Sequence, residues 1–166
     1  GYRDRRSMPL PIDTPPMPVY NGVFTGIVFV GPRRPAMLRK MMTSKLHRAT
    51  VTRCDPDYVG SVTIDADLLA AAGMRPNEAV WILDIDNAQR FETYIIRGAP
   101  GSGCIEINGA AAKLTEVGHK VIILTYGLMS EEECETHEAN VVLCDEANGI
   151  DQVLKYHSDV DQPAVL

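Results

Sequence analysis

The chain has 166 residues, a length typical of one compact domain with additional terminal segments. Its formal net charge of -6 argues against a nucleic-acid partner, because phosphate binding normally needs a clustered excess of Lys and Arg. The four cysteines form no closely spaced pair, which argues against a zinc or redox site and favours reduced thiols in a cytoplasmic protein, and no apolar run is long enough to span a membrane.

Residues 1–36 differ in composition from the rest of the chain. They contain seven of the eleven prolines and show neither helical nor strand periodicity. Such proline density is typical of an extended, poorly packed segment. We therefore predict a disordered N-terminal extension over 1–36, a folded domain over 37–145 and a polar, frayed tail over 146–166.

The folded segment is predicted to be mainly β. Residues 45–52 have the composition of a strand, and residues 61–64 begin a second, short strand. Asp65 then suits a helix N-cap, and Gly73 suits the left-handed position that ends a helix. These two residues predict one short helix between them.

Residues 79–86 and 89–97 predict a hairpin with a tight turn at Asn87-Ala88. Further along the chain we predict a strand at 104–107, a helical turn at 110–114, a strand at 120–126, a short helix with a capping box at Ser130 and Glu133, and a strand at 141–144. Many short strands with a few single-turn helices imply a small closed barrel, whose topology the pattern leaves open.

Common catalytic motifs are missing from the sequence. It has no Gly-rich phosphate loop, no HExxH and no GxSxG, and its four histidines are scattered, so we expect neither a metal site nor serine-hydrolase chemistry. The dipeptide Gly60-Ser61 is different, because a Ser hydroxyl can attack the preceding carbonyl and Gly hinders that attack least. Taken alone, however, Gly-Ser favours an ordinary turn.

Four blocks of sequence together resemble the bacterial aspartate 1-decarboxylase family. Their order and spacing resemble that family from about Met37 to Asp145. The blocks are Lys45-Leu46-His47-Arg48-Ala49-Thr50-Val51-Thr52, Tyr58-Val59-Gly60-Ser61-Val62-Thr63-Ile64-Asp65, Asp86-Asn87 with Arg90-Phe91-Glu92-Thr93-Tyr94, and Ile107-Asn108-Gly109-Ala110-Ala111-Ala112 with Gly118. The resemblance implies a six-stranded double-psi β-barrel with short helices, assembled as a homotetramer whose sites lie between subunits.

The resemblance also implies a self-processing enzyme. In the family the bond equivalent to Gly60–Ser61 breaks by ester formation and β-elimination, and the serine becomes a covalent pyruvoyl group. This cofactor forms a Schiff base with L-aspartate and acts as an electron sink while the substrate loses CO2 and becomes β-alanine. The product serves pantothenate and coenzyme A synthesis.

Individual roles follow from the same resemblance. Thr93 and Asn108 are expected to face the oxyanion of the cleavage step, with Thr93 as the main candidate, and Tyr58 to fix the loop. Tyr94 is the expected proton donor after CO2 leaves. Arg90 would grip a carboxylate with two hydrogen bonds, and Lys45 would add a second positive charge. The implied substrate-binding residues are Lys45, His47, Arg90, Thr93, Gly109, Ala110 and Ala111.

Strand alternation places a constraint on these roles. Arg90, Glu92 and Tyr94 are two residues apart, so they are predicted to share one face of a strand. Thr93 is then predicted to lie on the opposite face unless the backbone bends. Glu92 is unfavourable beside an anion site, so its direction matters.

Each of these residues also has an ordinary structural explanation. Arg90 and Lys45 are equally explained as surface cations, Tyr94 as a packing residue and Asn108-Gly109 as a turn. Two other functions therefore stay open. One is a non-enzymatic binding module with an uncut chain, and the other is a pyruvoyl enzyme for a different amino acid, which the two cations disfavour.

Overall fold

The structure is a computed structural model that describes residues 37–158. The extension predicted over 1–36 lies outside the described residues. The elements, in chain order, are β1 (Arg39–Thr50), β2 (Arg53–Asp55), β3 (Ser61–Ile64), α1 (Ala66–Ala72), β4 (Ala79–Asp84), β5 (Arg90–Arg97), β6 (Ile105–Asn108), the 3-10 helix η1 (Gly109–Lys113), β7 (Lys120–Met129), α2 (Glu131–Glu135), β8 (Glu138–Cys144) and β9 (Ile150–His157). Within this part of the chain, no helix combines the length and the apolar character needed to cross a membrane.

The strands pair in the order β2-β6-β3-β5-β4-β7-β1-β8-β9. The pairs β1–β8, β2–β6 and β3–β5 are parallel, and the other neighbours are antiparallel. This mixed sheet with short helices confirms the mainly β prediction and is consistent with a small barrel. The described sheet has nine strands where we expected six. Since no pairing between β2 and β9 appears within 37–158, the double-psi topology stays a prediction.

One face of the sheet forms the hydrophobic core. Ile82 pairs with Phe91 and with Ile123, and Ile123 pairs with Leu46. All four are buried and belong to a single cluster. Because side chains alternate along a strand, the neighbouring positions of β4, β5, β7 and β1 point to the outer face. The candidate cations Lys45 and Arg90 lie among those outer positions.

The predicted helix signals are confirmed. The Asp65 side chain accepts a hydrogen bond from the Asp67 backbone N–H at the start of α1, and Gly73 ends α1 with φ +72°. Ser130 and Glu133 form both hydrogen bonds of the capping box at α2. Local sequence chemistry therefore sets both helix boundaries.

Several element bounds differ from the predictions. The turn at Asn87-Ala88 is part of a longer loop over residues 85–89, because β4 ends at Asp84, whose N–H bonds to the Gln89 carbonyl. Strand β1 begins at Arg39, earlier than predicted, and β2 was not predicted.

The expectation of a frayed tail after Asp145 is wrong for residues 150–157. This segment forms β9, which pairs with β8 from Glu138↔His157 to Cys144↔Ile150. The prediction rests on the polar composition of this segment. An edge strand pairs on one side only and tolerates charged residues, so a polar composition is compatible with a strand.

Candidate active site

Ser61 begins β3 and is fully buried opposite Asn108 of β6. The side-chain amide of Asn108 donates a hydrogen bond from Nδ2 to Ser61 Oγ at 3.0 Å and also lies 3.1 Å from Thr63 Oγ1. The Ser61 hydroxyl in turn donates to the Val59 carbonyl at 3.3 Å. The structure thus brings together two residues that the sequence associated with chain cleavage.

Gly109 lies directly against Gly60. A Cβ atom at Gly109 would be 2.6 Å from Gly60 Cα, 2.8 Å from Gly60 N and 3.1 Å from the Tyr58 carbonyl oxygen. Gly109 also has φ +69°, a conformation that side chains disfavour. Position 109 therefore requires glycine for two reasons. Gly109 is also the first residue of η1, which includes Ala110 and Ala111.

Strand β5 is regular along its pairing with β4, from Ala79↔Tyr94 to Leu83↔Arg90. Arg90, Glu92 and Tyr94 are exposed, which confirms that they share the outer face. Because no bend interrupts β5, Thr93 is on the opposite face, with the core. A role for Thr93 at Ser61 stays a prediction.

Tyr94, the predicted proton donor on β5, lies at the position of that strand that matches Ser61 on β3. Val62 pairs with Ile95 in the parallel β3–β5 ladder, so Ser61 and Tyr94 occupy the preceding positions of neighbouring strands. Arg90 is four residues further from that position, a distance of about 13 Å at about 3.3 Å per residue. One chain therefore brings Tyr94 near Ser61 but leaves Arg90 some distance along the strand.

Lys45 and His47 lie on β1, four strands from the Ser61 strand in the order of the sheet. In the strand order, β5, β4 and β7 separate β3 from β1. At about 4.8 Å per strand, the four spacings amount to about 19 Å along the sheet. Lys45 Nζ instead lies 5.9 Å from the ring centroid of Tyr156 on β9, a contact that sequence reasoning missed because β9 was not predicted.

His47 occupies a bulge in β1. The pairing with β7 shifts between Leu46 and Ala49, and Arg48 adopts φ +61°. Burial lowers the pKa of His47, and the nearby charges of Lys45 and Arg48 lower it further. Among the described residues, His47 Nδ1 is a buried polar atom without a hydrogen-bond partner. The lowered pKa favours the neutral imidazole, which keeps one ring nitrogen unpaired within residues 37–158 of the protein.

Arg90 also lines a cavity of about 340 Å³ on the outer face of the sheet. The other lining residues are Lys40, Trp81, Leu83, Leu124 and Tyr126. Lys40 Nζ lies 4.9 Å from the Tyr126 ring centroid, so the cavity combines cations with aromatic surface. Sequence reasoning missed these residues, although Trp81 and Leu83 alternate with the buried Val80 and Ile82.

A second polar cluster joins the β4–β5 loop to the start of β7. One carboxylate oxygen each of Asp84 and Asp86 and one ring nitrogen of His119, atoms of the kind that bind metal ions, lie within 4.8 Å of one another. The Asp84 carboxylate accepts hydrogen bonds from Thr115 and His119, and the Asp86 carboxylate accepts one from the Lys120 N–H. Hydrogen bonds between protein groups thus account for this cluster, which the sequence did not predict.

Comparison with known proteins places these residues in context. The family model "Aspartate decarboxylase" matches residues 37–151. Aspartate 1-decarboxylases of Listeria monocytogenes and Bacillus subtilis are 52% and 53% identical to this chain over 118 residues, which is 71% of this chain and 93% of each relative. The aspartate 1-decarboxylase of Desulfotalea psychrophila is 49% identical over 119 residues, 72% of this chain and its own full length.

Proposed function

The chain belongs to the aspartate decarboxylase family, and we propose that it is an aspartate 1-decarboxylase that cleaves itself between Gly60 and Ser61 to form a pyruvoyl cofactor. Its reaction converts L-aspartate to β-alanine and CO2. The observation that carries the proposal is the fully buried Ser61 hydroxyl, which Asn108 contacts at 3.0 Å. The absence of a Cβ at Gly109, where one would touch the Gly60 backbone, supports it.

Chain cleavage begins at Ser61 Oγ. The oxygen attacks the Gly60 carbonyl carbon, the C–N bond breaks, and the hydroxyl proton passes to the released amine, which leaves an ester. Loss of the Ser61 α-proton then expels the Gly60 carboxylate, and water replaces the nitrogen as ammonia to give the keto group. Asn108 Nδ2 donates to the attacking oxygen at 3.0 Å and so holds Ser61 Oγ in place before the attack.

Decarboxylation needs a proton donor and binding groups for two carboxylates. Once formed from Ser61, a pyruvoyl group would supply the carbonyl for the substrate amine and the electron sink for decarboxylation. Tyr94, which is exposed and lies at the position matching Ser61 on the neighbouring strand, delivers the proton. Arg90 binds one carboxylate through its planar guanidinium, and Lys45 provides a second positive charge.

Along the sheet, two of the proposed binding groups lie apart from Ser61 within one chain. Arg90 is about 13 Å along β5 from the position beside Ser61, and Lys45 lies four strand spacings away. We therefore propose a homotetramer with sites between subunits, in which His47, Gly109, Ala110 and Ala111 complete the substrate contacts. Under the same proposal, the enzyme works in the cytoplasm and supplies β-alanine for pantothenate and coenzyme A.

The test compares β-alanine formation by the purified chain with that of Ser61→Ala. The variant lacks the nucleophile, so we expect neither cleavage nor turnover. Ser130→Ala, which removes a hydroxyl at the α2 cap and leaves the site untouched, is the matched control and should retain activity. Turnover by folded Ser61→Ala would contradict the proposal, whereas an uncut wild-type chain that binds aspartate without turnover would favour a binding module.

A further inference from the structure

Asp84 is a buried carboxylate at the end of β4, 3% exposed. It accepts hydrogen bonds from Thr115 Oγ1 at 2.6 Å, from His119 Nδ1 at 2.7 Å and from the backbone N–H groups of Asp86 and Asn87 at 2.9 and 3.2 Å. A buried charge is costly unless such partners are present. Burial would raise the pKa of Asp84, but the hydrogen bonds, first that from Thr115, outweigh it and lower the pKa.

The β4–β5 loop, which follows Asp84, also holds the residue before Thr115. The side-chain amide of Asn87 donates from Nδ2 to the Leu114 carbonyl at 2.8 Å. Asp84 and Asn87 thus fix consecutive residues, Leu114 and Thr115, and Asp84 adds His119 at the start of β7. The Asp86-Asn87 block belongs to the resemblance, yet neither residue has a role in the chemistry described above.

The anchored segment leads directly to the cleavage site. Helix η1 spans Gly109–Lys113 and ends against Leu114, whose N–H bonds to the Ala111 carbonyl. At its other end, the backbone of Gly109 packs on Gly60, and Asn108 holds the Ser61 hydroxyl. A shift of residues 114–115 would therefore be transmitted through one short helix to the surface that supports the Gly60–Ser61 bond.

We propose that Asp84 is a positioning residue for chain cleavage: through Thr115 and Asn87 it fixes the η1 segment against Gly60. This inference rests on the proposed self-cleavage and adds a requirement to it. Charge-assisted hydrogen bonds within a buried cluster are short and directional, so they hold a segment more firmly than surface contacts do. Attack by Ser61 Oγ depends on such placement, because a displacement of about 1 Å can slow a reaction about a hundredfold.

The test uses Thr115, because its hydroxyl can be removed without changing side-chain volume. Each variant is synthesised in full length in a cell-free system, and the uncut fraction is followed over time by denaturing intact-mass spectrometry. Thr115→Val loses the bond to Asp84 and should cleave about tenfold more slowly or worse, given the sensitivity of such reactions to position. Thr115→Ser restores the hydroxyl and should return the rate to near the wild-type value.

The control is Ser44→Ala, which removes another buried hydroxyl, bonded to the Ala72 carbonyl at 2.6 Å and distant from Gly60 along the sheet. It should lower the thermal midpoint yet cleave at the wild-type rate. A wild-type cleavage rate in Thr115→Val would overturn the role of Asp84, as would an equal slowing in Ser44→Ala. Failure of the wild-type chain to cleave would instead refute the proposed function, so the two failures are distinguishable.

An NMR titration of His119 reports separately on the contact itself. Its hydrogen bond with Asp84 raises the pKa of His119. In Asp84→Asn this pKa should fall toward its ordinary value and cleavage should slow, while Asn140→Ala, at a residue that donates to the Ala72 carbonyl, should leave both unchanged. A slowed cleavage with an unchanged His119 pKa would contradict the proposed anchor.

Discussion

Asn108 and Ser61 face each other across β6 and β3, and Asn108 Nδ2 lies 3.0 Å from Ser61 Oγ. Both residues are buried, so water does not weaken this contact. The same amide lies 3.1 Å from Thr63 Oγ1, which fixes its orientation. The nucleophile of the proposed cleavage is therefore held by a donor in the uncut chain.

Asn108→Ala should slow chain cleavage about a hundredfold, because Ser61 Oγ then loses the contact that holds it, and a displacement of about 1 Å can slow a reaction about a hundredfold. The half-time of cleavage, followed by denaturing mass spectrometry, measures the effect. Asn140→Ala, which removes an amide at a distant point of the sheet, should cleave at the wild-type rate. Equal half-times for wild type and Asn108→Ala would remove Asn108 from the mechanism.

Gly109→Ala should block cleavage, because the new Cβ would lie 2.6 Å from Gly60 Cα and displace the scissile segment. The positive φ adds a stability loss of about 1 kcal/mol. Gly118→Ala is a matched control, since Gly118 has φ +93° but no atom within 4 Å of the added Cβ. It should lose stability in urea unfolding and still cleave. If Gly109→Ala cleaves as readily as Gly118→Ala, the contact with Gly60 is irrelevant.

Tyr156→Leu should raise the KM for aspartate about two- to fivefold with little change in kcat, because a cation–π contact contributes about 0.5–1 kcal/mol. The ring of Tyr156 lies 5.9 Å from Lys45 Nζ and restricts this proposed carboxylate ligand. Tyr156→Phe keeps the ring and should behave as wild type. Steady-state kinetics decide the matter, and the prediction fails if Leu and Phe give the same KM.

His47 should titrate below its ordinary value of 6.5 in an NMR experiment, because burial, Lys45 and Arg48 all lower its pKa. The unfolded chain then binds more protons than the folded chain between the lowered pKa and 6.5, so this residue reduces stability as pH falls through that window. His47→Gln should therefore lose less stability than wild type on acidification from about pH 7.5 to about pH 5.5. A His47 pKa at or above 6.5 would contradict the account.

Local signals in the sequence predict much of the fold. Asp65 and Gly73 bound α1, and Ser130 and Glu133 cap α2, because each signal acts within a few residues. Strand β9 escapes such reasoning because its polar edge residues carry weak periodicity. Its pairing with β8 depends on contacts distant in sequence.

The site is predicted less completely than the fold. Alternation correctly placed Arg90, Glu92 and Tyr94 on one face, since it depends only on strand geometry. The contacts of Asp84 could not be predicted from the sequence, because Thr115 and His119 reach Asp84 only when β4 and β7 are paired. The spacing of these residues along the sequence does not indicate that they are in contact.

We propose above all that this chain cuts itself between Gly60 and Ser61. Denaturing intact-mass spectrometry of the purified protein tests it most directly. The account predicts two fragments that divide after Gly60, the second lighter by one ammonia than a peptide beginning with Ser61. A single uncut chain after prolonged incubation at elevated temperature would contradict it.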